Sequence, residues 1–331
     1  ELPTGDVGGQ YRRGNGLFGE SIVAVDLDTG ERKWHYQLVH HGLWDYDVPC
    51  AAILLDVTIK GKLVKLLAQP TKQSFLYVLN RETGKPVWPI PERKVPKGDV
   101  PGEWYSPTQP IPSRPPAYDV QGVSADDLID FTPELHAKAL EVMKNYHTGP
   151  LYTPAVVFEP EGKWGTLTAP NLTGMPTAPK RGDHTYGMLT VEGLPLLKPP
   201  YGRITAIDLK TGSHLWQVPH GETPDAIRNH PKLKGMTLPK TGRPGNVGPL
   251  VTKTLVICGE PGVFTLPDGR RGAMLCAYDK ATGEQKGAVY MPAGQTGAPM
   301  TYMLNGRQHI AIAVGGGNYP AELIVFRVPA A

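Results

Sequence analysis

The sequence predicts an all-β fold assembled from small repeated antiparallel sheets, stacked or arranged radially. Three observations carry this. One segment plan recurs four times, as "SIVAVDLDTGERKW" (21–34), "SFLYVLNRETGKPVW" (74–88), "GRITAIDLKTGSHLW" (202–216) and "AMLCAYDKATGEQKG" (273–287). Glycine and proline, 39 and 35 of 331 residues, are abundant without a collagen-like period, so turns are frequent. Further β-prone runs fill the intervals: "CAAILLDV" (50–57), "LVKLLAQP" (63–70), "TKTLVICG" (252–259), "APMTYML" (298–304), "HIAIAVGG" (309–316) and "ELIVFRV" (322–328). Units too small to bury their own faces must bury them against one another.

Each repeat reads as a hairpin. A β-prone run leads to Asp or Asn, whose side chain bonds nearby backbone, then to Thr-Gly, where Gly30, Gly84, Gly212 or Gly283 supplies a positive φ. The restart closes on Trp34, Trp88 or Trp216 in three of the four copies, and these indoles are expected to pack between neighbouring sheets. The Thr-Gly marks are 54, 128 and 71 residues apart, so the long gap holds insertions or a repeat whose signature has decayed. Residues 89–123 are proline-rich and too long for a simple connection, and are expected to cover a face of the domain. One helix is expected to interrupt the β pattern: Thr132 and Pro133 fit its N-cap and first turn, and Leu135, Ala139, Val142, Met143 and Tyr146 share a face. Asn305-Gly306 marks a tight hairpin between "TYML" and "QHIAIA".

Composition excludes several classes. The net charge of +3 with 20% charged residues indicates neither disorder nor a nucleic-acid footprint. Cys50, Cys258 and Cys276 form no CxxC or CxxCH, so there is no c-type haem motif and no zinc knuckle; Cys258 and Cys276 sit in apolar runs and read as buried thiols. No apolar run is long enough for a transmembrane helix. The chain begins at Glu1 without a secretory apolar region, which is expected of a chain that has lost a leader or of a piece of a longer protein.

The richest stretch for chemistry is "VHHGLWDYDVP" (39–49), two histidines, a tryptophan and two aspartates without helical or strand period. The residue types allow a loop that holds a carboxylate over a ligand, or a polar turn whose aspartates bond backbone N–H groups. Lys72, in "PTKQS", lies 27 residues beyond Asp45.

The Asp-x-x-Thr-Gly-x-x-x-Trp turns, "HHGLWDYDVP", "LAQPTKQSFLYVLNRETG" and "PMTYMLNGRQHIAIAVGGG" together resemble the pyrroloquinoline quinone (PQQ)-dependent dehydrogenases, particularly the glucose-dehydrogenase-like branch, through nearly the whole chain. The resemblance implies an eight-bladed β-propeller of four-stranded antiparallel blades locked by tryptophan-docking turns. Residues 1–331 correspond to the C-terminal half or more, as one partial propeller domain of about four or five blades. It implies Asp45 as the catalytic base beside a Ca²⁺ that it helps bind, and Lys72, Trp44 and Gly316 as cofactor contacts. Asp6 is the remaining candidate calcium ligand. Asp47, His40 and His41 are secondary candidates, read first as structural, and the run Gly315 to Gly317 fits a bulge as readily as a cofactor turn.

The implied chemistry is oxidation of an aldose or alcohol: a carboxylate takes the hydroxyl proton, while a hard cation and an ammonium polarise the quinone. The implied partners are a sugar or alcohol and an external quinone or cytochrome acceptor, and the implied compartment is the periplasm. Three departures favour an alternative, a non-catalytic scaffold or inactive fragment. Gly5 stands where the family places a calcium-ligating asparagine. A further carboxylate and the tryptophan that stacks under PQQ belong to blades not represented in the sequence. After "GTLTAPNLTGM" strands are lost. A WD-repeat module, suggested only by "LWDYD", fits poorly because that pair precedes an irregular loop.

Overall fold

The structure, a computed structural model, describes residues 11–327 except 158, 160–163, 168, 170–176, 180–185, 267 and 317. Two compact units are present. One contains the residues up to Lys198 together with Ile207–His214; the other contains Pro199–Ala206 and the chain from Leu215 onward.

The first unit opens on a hairpin of β1 (Ser21–Val25) and β2 (Arg32–Gln37). Next comes an antiparallel sheet of β3 (Ile53–Ile59), β4 (Lys62–Pro70) and β5 (Leu76–Asn80), with β4 central. Alternation along β4 and β5 turns Leu66, Ala68, Leu76 and Val78 into one buried cluster against Val87, Trp88, Ile207 and Leu209. Short pairs follow: β6 (Glu92–Lys94) with β7 (Thr108–Pro110), β8 (Thr177–Pro179) with β9 (Tyr186–Met188), and β10 (Thr190–Val191) with β11 (Leu194–Pro195). The one longer helix among the described residues, α1 (Pro133–Met143), is capped as its sequence dictates: Thr132 Oγ1 accepts from the Leu135 N–H at 3.2 Å, and Leu135 and Ala139 are buried. Tyr146, expected on its face, is buried one turn past its end.

β12 (Arg203–Asp208) and β13 (Ser213–Pro219) form the third-repeat hairpin. In the second unit, β14 (Leu250–Val251), β15 (Leu255–Gly259), β16 (Phe264–Thr265), β17 (Arg271–Asp279) and β18 (Gln285–Met291) make a five-stranded antiparallel sheet around β17. A four-stranded sheet follows, with β21 (Arg307–Gly316) paired to β19 (Gly294–Gln295), β20 (Met300–Leu304) and β22 (Tyr319–Arg327). Its β20–β21 turn has Asn305 at φ 50° and Gly306 at φ 72°, the left-handed pair that a two-residue hairpin requires. Phe264, Ala273, Leu275, Met291, Ile312 and Val314 form the core of this unit. Cys258 and Cys276 face each other across β15 and β17 as free thiols, and burial pushes both pKa values up to about 12.

The four repeats explain their own spelling. In the three later turns an indole lies against the glycine: a Cβ on Gly84 would come within 2.6 Å of Trp34, on Gly212 within 3.1 Å of Trp88, and on Gly283 within 2.7 Å of Trp216. The Trp34 N–H donates to the Arg81 carbonyl and the Trp216 N–H to the Lys280 carbonyl, each at 3.0 Å. Each closing tryptophan therefore docks on the Thr-Gly turn of the next repeat, so the glycine supplies both a positive φ and the space for a ring. Gly30 has the same backbone, φ 73°, but nothing lies within 4 Å of where its Cβ would be.

Candidate functional site

The segment after β2 is fixed from both sides. Leu38 and Val39 are fully buried, and the Leu38 N–H donates to the Glu20 carbonyl at 2.8 Å. The buried Gln109 side chain then pairs with the His40 backbone, accepting from its N–H at 2.8 Å and donating to its carbonyl at 2.7 Å. The His40 ring lies between Gln37 Oε1 at 2.9 Å and Glu92 Oε1 at 3.0 Å. His41, fully buried, meets the Gly14 carbonyl at 2.9 Å, Glu103 Oε1 at 3.3 Å and the edge of Trp104. Both histidines thus spend their ring nitrogens on loop anchoring, the structural role the sequence favoured.

That anchoring forces a sharp path. His41 and Asp45 sit at φ 49° and 56°, a left-handed conformation uncommon for residues with side chains. Trp44 turns inward, stacked 6.0 Å from Tyr46 and edge-on to Tyr152 at 5.2 Å, and its N–H donates to the Thr153 carbonyl at 2.9 Å. With Trp44 held, Asp45 is presented outward, its side chain half exposed at 49%.

Lys72 comes from the turn between β4 and β5. The Thr71 N–H reaches the Phe75 carbonyl at 3.0 Å and the Tyr118 hydroxyl at 3.1 Å, while the Tyr118 O–H donates back to the Thr71 carbonyl. The Lys72 ammonium, with 14% of its side chain exposed, donates to Asp45 Oδ2 at 2.8 Å and also to Asp47 Oδ2. Burial pulls the Lys72 pKa down, but hydrogen bonds and charge from Asp45 and Asp47 outweigh it, so the net shift is upward. Asp47 Oδ1 is buried with no hydrogen-bond partner. The result is a fixed ammonium between two carboxylates, one of them open to a small molecule and the other with an uncommitted oxygen.

Asp45 and Lys72 are therefore brought together, with Asp47 as a third member, while the neighbouring Trp44 packs against Tyr46 and Tyr152. Gly316, at φ 91° and paired with Tyr319, belongs to the second unit. Asp6 lies outside the described residues. Gln109 and Tyr118 are positioning residues that sequence reasoning missed; the only signal was that the proline-rich segment 89–123, which contains both, was too long to be a mere connection. Among the described residues, no group of three or more His, Cys, Asp or Glu side chains gathers to hold a metal.

The described chain is an assembly of repeated antiparallel sheets whose closing tryptophans dock on the next turn, with a half-exposed carboxylate held against a mostly buried ammonium. The family model described as "PQQ: Glucose/ethanol/alcohol dehydrogenase, beta-propeller domain" matches residues 1–179 and 176–310, and the chain belongs to this family. The quinoprotein glucose dehydrogenase of Gluconobacter oxydans is 30% identical over 97% of this chain and 46% of its own length. The quinate/shikimate dehydrogenase (quinone) of Acinetobacter baylyi is 28% identical over 93% of this chain and 43% of its own. The chain thus spans about half the length of the curated relatives it matches. The crystal structure of quinohemoprotein alcohol dehydrogenase from Comamonas testosteroni is 24% identical, with a TM-score of 0.47, over 91% of this chain and 39% of that one.

The site suits the family's groups. Asp45 and Asp47 offer hard oxygen donors, one of them orphaned, as a divalent cation such as Ca²⁺ requires, although Ca²⁺ takes six to eight oxygens and the described residues supply only part of that set. The Lys72 ammonium suits an acceptor-rich, anionic quinone.

Proposed function

We propose that this chain carries the base and the quinone-contacting lysine of a PQQ- and Ca²⁺-dependent dehydrogenase that oxidises an aldose or alcohol. The observation that supports this reading best is the 2.8 Å contact between Lys72 and Asp45, which joins a half-exposed carboxylate to a fixed cation. PQQ, when bound, supplies the oxidant that takes the hydrogen and electron pair from the substrate carbon.

The chain's own residues do the rest. Asp45 accepts the proton of the substrate hydroxyl, because its carboxylate is the half-exposed one and the loop denies it any turn-stabilising role. Lys72 holds positive charge where the quinone oxygens would lie, and its bond to Asp47 fixes the ammonium in place. Asp45 and Asp47 would hold Ca²⁺ on their free oxygens, with Asp6 a further candidate ligand. Trp44 fixes the plane of the loop against which the cofactor would rest. The sugar and alcohol substrates of the relatives, a periplasmic location, and a separate quinone or cytochrome as electron acceptor belong to the same proposal.

Dye-coupled oxidation of glucose and short alcohols by the chain loaded with PQQ and Ca²⁺ tests it. Asp45→Asn keeps the shape but removes the base, and turnover is expected to fall about 10²–10⁴-fold, the usual worth of a positioned base. Unchanged turnover in that variant would assign the base elsewhere.

A further inference from the structure

Gly42 stands three residues before Asp45 in the anchored loop, and the backbone there does not call for glycine. Its φ is not left-handed, unlike those of His41 and Asp45 on either side of it. What excludes a side chain is Glu20. A Cβ on Gly42 would stand 2.3 Å from Glu20 Oε1, 2.8 Å from its Cδ and 3.1 Å from its Oε2, so the three nearest atoms all belong to one carboxylate.

The carboxylate is held firmly in that place. The Glu20 carbonyl accepts the Leu38 N–H at 2.8 Å, which ties the residue to the exit of β2. Its φ of 38° is left-handed, a conformation that a residue with a side chain rarely adopts, and the residue is only 5% exposed. Glutamate is seldom buried so deeply, and here Arg12 brings a guanidinium to the same spot, its Nη2 donating to the Gly42 carbonyl at 3.2 Å. The charge also reaches Tyr152, whose pKa burial pushes well up and Glu20 raises further. Tyr152 in turn meets Trp44, the residue before Asp45, edge-on at 5.2 Å. The oxygens of an aspartate stand about 2.4 Å from its own Cβ, so Glu20 Oε1 occupies the place that an acidic side chain at position 42 would fill.

We propose that Glu20 is a positioning residue for Asp45: its buried carboxylate stands in for a side chain at position 42, and the close Glu20–Gly42 contact sets the path by which the loop turns Asp45 toward Lys72. The consequence for turnover rests on the dehydrogenase reading; the contact and its effect on the Asp45–Lys72 bond do not. Only Leu43 and Trp44 separate Gly42 from Asp45, so a side chain that pushes Gly42 off the carboxylate carries Asp45 with it. Loss of the carboxylate frees the same segment in the opposite sense.

The test is a double-mutant cycle with two readouts. One is the Lys72 Nζ resonance of a ¹⁵N-lysine-labelled chain, assigned by its loss in Lys72→Met, which reports the bonds to Asp45 and Asp47 without any cofactor. The other is dye-coupled kcat with PQQ and Ca²⁺. Gly42→Asp adds a second carboxylate where one already sits, and Glu20→Ala removes the one present. Each alone is expected to move the resonance toward those of exposed lysines and to lower kcat on the order of 10–10²-fold, as a displacement of about 1 Å does. Glu20→Ala/Gly42→Asp returns a single carboxylate to the same place, and is expected to restore the resonance and bring kcat within about threefold of the wild type. Melting temperatures confirm folding, and Gly42→Ala, which carries only the clashing methyl, replaces Gly42→Asp as the single variant if that chain does not fold. Additive losses in the double variant, or a resonance that ignores Glu20→Ala, would overturn the proposal. The expected resonance pattern in a chain that takes up no PQQ would keep the positioning role and remove the dehydrogenase reading. PQQ-dependent turnover that Glu20→Ala leaves intact would remove the positioning role and keep that reading.

Discussion

At the scale of single residues, the centre is an ion triad whose members are separated by chemistry as well as position. Asp45 is open, Asp47 is mostly covered, and Lys72 is held between them with 14% of its side chain exposed. Because the Lys72 pKa is raised in the folded chain, the triad stabilises the fold fully below the unfolded lysine value near 10.5 and loses that contribution as pH rises through the higher folded value. Thermal melts of the wild type should therefore show a fall in stability above about pH 10.5 that is shallower in Lys72→Met. An identical alkaline slope in the two proteins would show that the triad is not held together in solution. That Asp45 and Lys72 belong to one site was implied by the family resemblance and their 27-residue spacing, and the β3–β4 hairpin fills the interval between them. The clamp of Gln109 on His40 and of Tyr118 on Thr71 was not, because those contacts span 69 and 47 residues and arise from an irregular segment without periodicity.

At the scale of elements, the repeated hairpin is the unit that holds neighbouring sheets together. The sequence made clear that Trp34, Trp88 and Trp216 should be buried between sheets; it did not show that each rests on the glycine of the following turn, since nothing in a single repeat names the partner. Substitution separates the two demands on glycine. Gly84→Ala and Gly283→Ala add a backbone cost of about 1–2 kcal/mol for a left-handed alanine and a steric cost of about 1–3 kcal/mol, because the new methyl would meet Trp34 or Trp216 below 3 Å. Gly30→Ala carries the backbone cost alone, since its surroundings are open. Denaturant unfolding should place Gly84→Ala well below Gly30→Ala; equal losses would mean that the indoles do not dock. The same scale shows where the four-stranded expectation met variation: β19 to β22 give four strands, but β14 to β18 give five, because the insertion after β15 returns as the two-residue β16 beside Gly272 and Arg271.

At the scale of the whole chain, family membership follows from the match over 1–179 and 176–310, whose two stretches meet within the segment where the sequence departs from the family pattern after "GTLTAPNLTGM". That stretch falls largely outside the described residues, as does Asp6. No helix among the described residues is long and apolar enough to cross a membrane. The chain spans about half of the length of the quinoprotein glucose and quinate/shikimate dehydrogenases it matches, and the central proposal is that its Asp45–Lys72 centre takes PQQ. The most direct measurement is an equilibrium titration of the purified chain with PQQ at fixed Ca²⁺, read by cofactor fluorescence, for the wild type and Lys72→Ala. Saturable, calcium-dependent binding that weakens at least about tenfold when the ammonium is removed is the expected result. A folded wild type that binds no PQQ, or binds it equally well without Lys72, would contradict it.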